Sequence, residues 1–227
     1  NPLTDKEEIL KRQEAILELS EMTQLRQHFY VTGMLHPGEK GDIRTLISLT
    51  DYQPAFITSL LWKSLMWIIP AIWIVLIVGA SVGSIPFAPL GIFFAIAFLI
   101  SNLRAKQIST LHNSVNKMEK ILYTYSSLIK SIEGDIFKSS ELATISSRFN
   151  GPEGTASRSL KKLSRCIGAL DQRISFMGII LNIFILRDTR TAIRLERWIQ
   201  AHVKDIPLWF DALEKFDAYS SLGGFAF

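Results

Sequence analysis

Cysteine occurs once in the 227 residues, at Cys166, which excludes an internal disulfide and fits a reducing cytoplasm. No Gly-Lys pair is present, so the Gly-x-x-x-x-Gly-Lys-Ser/Thr loop that cradles nucleotide phosphates is excluded. The four histidines, His28, His36, His112 and His202, are dispersed. With the single cysteine elsewhere they form no metal-ligand spacing, and each reads as a lone surface side chain. The opening residues, Asn1 to Glu8, are polar and acidic, which is not the pattern of a signal peptide. The largest lack is of charge. Between Lys63 and Arg104, 40 consecutive residues contain no Asp, Glu, Lys or Arg.

Two apolar runs fill that gap, Leu60–Gly79 and Phe87–Leu103, separated by the small-residue stretch Ala80–Pro86. At about 1.5 Å per helical residue, the first run matches a bilayer core of about 30 Å and the second is at the short limit. The pattern predicts a transmembrane helical hairpin; the competing interpretation is a buried helical pair in a soluble core. Lys63 precedes the first run, Arg104 and Lys106 follow the second, and the turn is uncharged, which places both ends on the cytoplasmic side. Trp62 lies where an interfacial aromatic belongs, whereas Trp67 and Trp73 fall deeper, to pack or to face lipid. Pro70 removes one backbone donor inside the first helix, so a kink is expected there. The span has no ionisable residue of the kind that marks an ion path, and it reads as an anchor.

Outside the hairpin the periodicity is helical. Thr4 and Glu7 have capping-box spacing, and Ile9, Ile16, Leu19, Met22, Leu25 and Phe29 then share one face. Gly33, Pro37, Gly38 and Gly41 punctuate a loop before a short helix at 42–49, and Pro54 suits the first turn of the helix entering the membrane. Ile108–Lys130 and Glu141–Phe149 read as helices, Asn150–Gly154 as a loop and Ala156–Asp171 as an amphipathic basic helix. Ile174–Leu186 is apolar but too short to span, so it reads as a buried core helix. One or two helices then cover Thr189–Phe225, with Trp198, Ile206, Trp209, Leu213 and Phe216 as anchors. Strands should be few.

Charge is uneven. Residues 104–173 hold 12 basic against 6 acidic side chains, a net of +6, and supply all of the chain's basic excess. Arg158, Lys161, Lys162, Arg165 and Arg173 are the candidate contacts in this segment. Anionic lipid headgroups are the expected partner and nucleic acid the alternative. Gly79-Ala80-Ser81-Val82-Gly83 matches the Gly-x-Ser-x-Gly form of a nucleophile elbow, but that elbow needs a strand before it and a helix after it, so the match reads as chance. Paired carboxylates such as Glu7/Glu8 and Glu133/Asp135 read as solvated.

Both ends of the chain are similar to one family. The opening Asn1-Pro-Leu-Thr-Asp-Lys-Glu-Glu-Ile9-Leu-Lys-Arg12-Gln-Glu-Ala-Ile16-Leu-Glu-Leu19 resembles the start of the MutS core domain. There a Pro-Leu turn introduces a helix with an Ile-x-x-Arg pattern. Gly41-Asp42-Ile43-Arg44-Thr45-Leu46 is similar to that family's Gly-Asp-Leu-Glu-Arg element, and the segment Leu213–Ala226 to its last core helix, which leads into the ATPase domain. The chain therefore reads as cut from a longer protein. About 45 residues at the front and 40 at the back carry the likeness. Where mismatch-repair members have lever helices and a DNA clamp, this chain has the apolar hairpin, so no mismatch-reading residue carries over. The resemblance implies a homodimeric ATPase with ATP and Mg bound outside this chain.

The expectation is thus an all-α fold: a helical core bundle (1–59 and 104–227) with a two-helix transmembrane hairpin (60–103) inserted. Its function would be the non-enzymatic core of a membrane-anchored MutS-like protein of the DNA-repair family, coupling an ATPase domain to a distal binding region. The bilayer is its partner, DNA an alternative one, and the soluble parts are cytoplasmic. The rival is a membrane-anchored helical scaffold or adaptor without ATPase coupling.

Overall fold

The computed structural model describes residues 6–35, 56–115, 119–151, 154–171 and 175–225. Among them are eleven helices: α1 (Lys6–Glu21), α2 (Thr23–Leu35), α3 (Leu60–Ser81), α4 (Ala88–Asn102), α5 (Ala105–Val115), α6 (Glu119–Glu133), α7 (Ser140–Ser147), α8 (Ala156–Asp171), α9 (Phe176–Ile185), α10 (Arg187–His202) and α11 (Ile206–Gly223). The only strands among the described residues are two short ones, β1 (Asn150–Gly151) and β2 (Gly154–Thr155), paired antiparallel. The fold is mostly helical, as expected. The segment read as a loop at Asn150–Gly154 is this small hairpin, and Gly154 takes a positive φ of 109° that suits glycine. Thr4, His36, the loop glycines from Gly38, the helix expected at 42–49, Pro54 and Arg173 lie outside the described residues.

The chain divides into two compact units. The first unit comprises the described parts of Asn1–Thr50, Lys120–Ser164 and Ala201–Phe227. Its core is aromatic. Phe216 is fully buried, with Phe29 5.1 Å and Phe137 6.1 Å away between ring centroids, while Tyr125 meets Phe210 edge-on at 4.9 Å. Trp209, Leu213 and Ile206 from α11 join them, which satisfies the apolar spacing of that helix. α11 packs along α1, and Gly223 makes the crossing close: a Cβ there would lie 3.3 Å from the Ile16 carbonyl oxygen and the Ser20 nitrogen. The single helix expected over 7–29 is broken at Met22 into α1 and α2.

Two carboxylates organise helix starts in this unit. Glu18 of α1 accepts the backbone N–H groups of Lys138 (2.6 Å) and Ser139 (2.7 Å) at the head of α7. Glu133 of α6 accepts the Ser157 N–H at 3.0 Å and the Ser157 hydroxyl at 2.5 Å at the head of α8. A helix leaves its first N–H groups without internal partners and presents a positive dipole end there, so an anion is favourable. Glu133 is therefore not the idle solvated carboxylate expected from its neighbour Asp135. Glu7 and Glu8 do lie on an exposed face, paired with Lys11 and Arg12 one turn on.

The second unit comprises the described parts of Asp51–Glu119 and Arg165–Gln200 and holds α3, α4, α5 and α9. Glu196, fully buried on α10, accepts the N–H groups of Phe56 (2.9 Å) and Ile57 (2.8 Å), fixing the chain just before α3. α3 ends in a Schellman arrangement: Ser84 N–H bonds the Gly79 carbonyl at 3.0 Å and Gly83 N–H the Ala80 carbonyl at 3.1 Å. Gly83 supplies the left-handed φ of 77° that this cap needs. Ile85 folds back over Gly79, and a Cβ there would sit 2.3 Å from its Cδ1. The Gly79–Gly83 letters thus spell a helix end. The Ser81 hydroxyl donates to the Ile77 carbonyl at 2.8 Å, and the residues leading into it are helical.

Candidate membrane-anchoring site

α3 is 22 residues long, about 33 Å at the helical rise, and is the one helix among the described residues long and apolar enough to cross a membrane by itself. Only 11% of its most apolar 18-residue stretch is buried inside the protein. Leu61, Trp67, Ile74, Val75 and Val78 all point outward. A core helix of a soluble protein would hide these side chains, since burial of each is worth about 1.5–3 kcal/mol. α4 has 15 residues, about 22 Å, and falls below the length of a full span, so the second half of the expected hairpin is shorter than its apolar run. Its Ile92, Phe98 and Leu99 are exposed as well.

α3, α4 and α9 meet at one cluster: Ile69, Trp73, Ala97, Ile183 and Leu186 are buried, with Leu65, Phe93, Ile100 and Phe184 against them. Trp73 is its centre. Its ring stacks on Phe184 at 4.3 Å and meets Phe93 edge-on at 5.1 Å. The indole N–H donates to the Ile183 carbonyl at 3.3 Å. Of the two deep tryptophans, Trp73 packs and Trp67 faces outward, 75% exposed. The segment expected as a buried core helix, α9, is therefore a third apolar helix laid on α3 and α4. Phe176, Met177 and Ile179 on it remain exposed.

Pro70 lies inside α3 and has no N–H, so the Met66 carbonyl one turn earlier loses its helical donor. Arg190 of α10 supplies the replacement: its guanidinium donates to the Met66 carbonyl. The same side chain donates through Nε to the Ile185 carbonyl at 2.8 Å and lies over the Trp67 ring, 5.5 Å from its centroid. One cation thus closes the gap left by a proline, caps the end of α9 and covers an outward aromatic. Pro70 marks the deficit in the sequence. Nothing local in the sequence marks Arg190 as the donor.

The flanking cations are placed as follows. Lys63 is in the first turn of α3 and half-buried. Arg104 sits in the break between α4 and α5, over the rings of Phe56 (5.2 Å) and Trp62 (5.3 Å). Lys106 is exposed on α5. Arg104 and the buried Trp62 therefore meet where α3 begins and α4 ends.

The basic helix is α8, with the expected bounds. Leu160, Leu163, Ile167 and Leu170 are fully buried, and Arg158, Lys161, Lys162 and Arg165 are exposed at steps of three and four, which is one face. Lys161 lies over the Tyr123 ring at 5.7 Å.

The remaining chemistry is sparse. His202 is buried against Trp209, 5.5 Å between ring centroids, and His112 contacts Asp171 at 2.5 Å, so neither is the lone surface histidine expected; His28 is exposed. Burial pushes the Cys166 thiol up, with the Arg194 charge opposing. Among the described residues no group of three His, Cys, Asp or Glu side chains could hold a metal. A cavity of about 410 Å³ in the first unit is lined by Phe29, Tyr125, Phe210, Leu213 and Asp217, and burial raises the Asp217 carboxyl. No family model, curated protein or solved structure matches this chain.

Proposed function

We propose that this chain is the membrane-anchored helical core of a MutS-like ATPase, itself non-catalytic, which couples an ATPase domain outside this chain to a distal binding region. The observation that carries the anchor is the outward apolar surface of α3, which only an apolar solvent accommodates without loss. α3 spans, and α4 returns with the apolar turn residues Val82 and Phe87 and local thinning of the bilayer making up its length. Lys63, Arg104 and Lys106 keep the foot of the hairpin cytoplasmic. Expressed protein should pellet with membranes and require detergent for release. A monodisperse preparation in plain buffer sinks the anchor.

The MutS-like part of the reading rests on the sequence likeness of the two ends. It is supported by α1 and α11, which carry that likeness, lying against each other in a unit assembled from three separated stretches of chain. Reading the coding sequence beyond Phe227 tests it. A Gly-rich phosphate loop within about 100 residues, roughly one domain length, is expected, and a stop or an unrelated domain favours the adaptor instead.

The basic face of α8 is read as a surface for anionic lipid headgroups, each cation near the membrane being worth about 1 kcal/mol. Duplex binding by the solubilised chain should be weak between about 50 and 200 mM salt. Tight binding that Lys161→Ala, Lys162→Ala and Arg165→Ala together abolish would assign the face to DNA.

A further inference from the structure

We infer that α9 is an interfacial membrane helix, its Phe176, Met177 and Ile179 seated at the headgroup–acyl boundary beside α3 and α4. The inference rests on the membrane reading of α3 and adds a third lipid-contacting element to it. A 10-residue helix cannot span, but short apolar segments have a second fate besides the protein core, which is to lie at the membrane surface.

Three observations place it there. The first is continuity. One side of α9 is sealed to the hairpin through Ile183 and Phe184 on Trp73, and the exposed apolar side chains on the rest of α9 belong to the same unit as the outward surface of α3 and α4. The second is depth. Ile179 and Asn182 line a cavity of about 290 Å³ with Ser101, Asn102 and Ala105, the residues where α4 ends beside Arg104. Ile179 of α9 therefore lies near the foot of the hairpin, while Ile183 and Phe184 reach Trp73, midway along α3.

The third is the way its ends are satisfied. At the C-terminus, which faces the apolar cluster, the carbonyls of Asn182, Ile183 and Ile185 are taken by Leu186 N–H, the Trp73 indole and Arg190. Backbone groups in hydrocarbon need such internal partners. Leu186 even takes a left-handed φ of 50° to complete this end, and its side chain is fully buried in the cluster. At the N-terminus the Ser175 hydroxyl takes the Gly178 N–H at 3.0 Å, as at a helix start in a polar setting. A helix whose last carbonyls at Asn182, Ile183 and Ile185 have donors within the protein and whose N-terminus is polar-capped, with Phe and Met beside the polar cap, fits the boundary zone.

The test is a depth measurement on the complete chain in phosphatidylcholine–phosphatidylglycerol vesicles. In a Cys166→Ser background, single cysteines at Met177 and, separately, at Ile74 carry an environment-sensitive fluorophore. The Met177 probe should lose fluorescence to shallow nitroxide lipids more than to deep ones, and should resist aqueous iodide. The Ile74 probe should be quenched most by deep labels. If Ile74 behaves so but iodide quenches Met177, α9 is outside the bilayer and this inference is overturned while the anchor stands. If Met177 is shielded from both quenchers, protein covers it, such as a second copy, and the inference is equally overturned. Iodide quenching at both positions overturns the anchor itself. A repeat at Phe176 guards against a misfolded variant.

Discussion

The two units share one device, a carboxylate on backbone N–H groups (Glu18 and Glu133 in the first, Glu196 in the second), and the second adds side-chain donors to backbone carbonyls. In the first, helix starts are held by carboxylates: Glu18 and Glu133 accept N–H groups at the heads of α7 and α8. In the second, the apolar cluster is held by donors: Trp73 and Arg190 give hydrogen bonds to carbonyls at the end of α9 and at the Pro70 gap. Both units bury an apolar cluster and display apolar side chains, Leu17, Met34 and Ile136 in the first and Leu61, Trp67 and Ile74 in the second. Composition alone does not separate them, since both units are rich in aliphatic and aromatic side chains. What differs is that in the second unit the displayed side chains follow one another along a single helix, from Leu61 to Val78. A displayed isoleucine is a minor cost in water when single and a gain in lipid when contiguous.

The sharpest way to break this comparison is to place the same charge on each surface. Leu17 on α1 and Ile74 on α3 are similarly exposed, at 59% and 63%. If both faced water, an arginine at either would change stability by no more than about 0.5 kcal/mol. With Ile74 in lipid near the middle of the span, Ile74→Arg should cost about 2.5–3.5 kcal/mol of insertion free energy, whereas Leu17→Arg stays near zero. Membrane-integrated fraction in a translocation assay reads the first, and thermal unfolding of the solubilised chain reads the second. Equal, small effects at both sites would erase the distinction between the units.

The next test concerns the donor at the proline gap. Arg190→Ala leaves the Met66 carbonyl without its partner and should cost about 1–3 kcal/mol, the range for an abandoned polar group in a dry setting. Pro70→Ala restores an N–H in α3, so in that background the loss of Arg190 should matter less. The expected coupling is about 0.5–3 kcal/mol in a double-mutant cycle measured by unfolding in mixed micelles. Additive effects would mean that Arg190 acts only on α9 and Trp67. Arg190→Lys should not rescue fully, because the guanidinium fork serves two carbonyls and a ring at once.

These two cases also show what the sequence made legible. α8 was readable to its ends, because Leu160, Leu163, Ile167 and Leu170 repeat at helical spacing against exposed Arg158, Lys161, Lys162 and Arg165. The apolar span of α3 was readable from the missing charge, and the carbonyl deficit from Pro70. The donors were not, since Arg190 lies 124 residues from Met66 and Glu18 lies 120 from Lys138. Pairings at that separation leave no periodic trace. A short apolar run such as α9 has the same pattern in a protein core and on the outside of other apolar helices, and only its contacts with Trp73 and Ala97 show where it packs. His202 was missed for the same reason: a single histidine has no pattern, and Trp209 buries it from seven residues on.

The smallest expected effect tests the carboxylate side of the comparison. Glu18 is partly buried, which pushes its carboxyl up, but the N–H groups of Lys138 and Ser139, the Ser139 hydroxyl and the Lys138 charge outweigh that. The net position is below the ordinary value of 4.5. A folded-state pKa below the unfolded one means that the stabilisation is complete above about pH 4.5 and is lost as the pH falls through the folded value. Glu18→Gln keeps an acceptor but turns an amide N–H toward a backbone donor and removes the charge at the head of α7. It should therefore cost about 1 kcal/mol near neutral pH, the usual scale for a lost cap. The variant has no carboxyl there to titrate, so the gap between the two proteins should close as the solution is made acidic. Thermal unfolding of both, side by side at pH 7 and below pH 4, isolates this site from the other carboxylates, which are common to the pair. A gap that stays constant with pH would show that α7 is held by shape alone. The first unit would then share no electrostatic logic with the donors that hold α9.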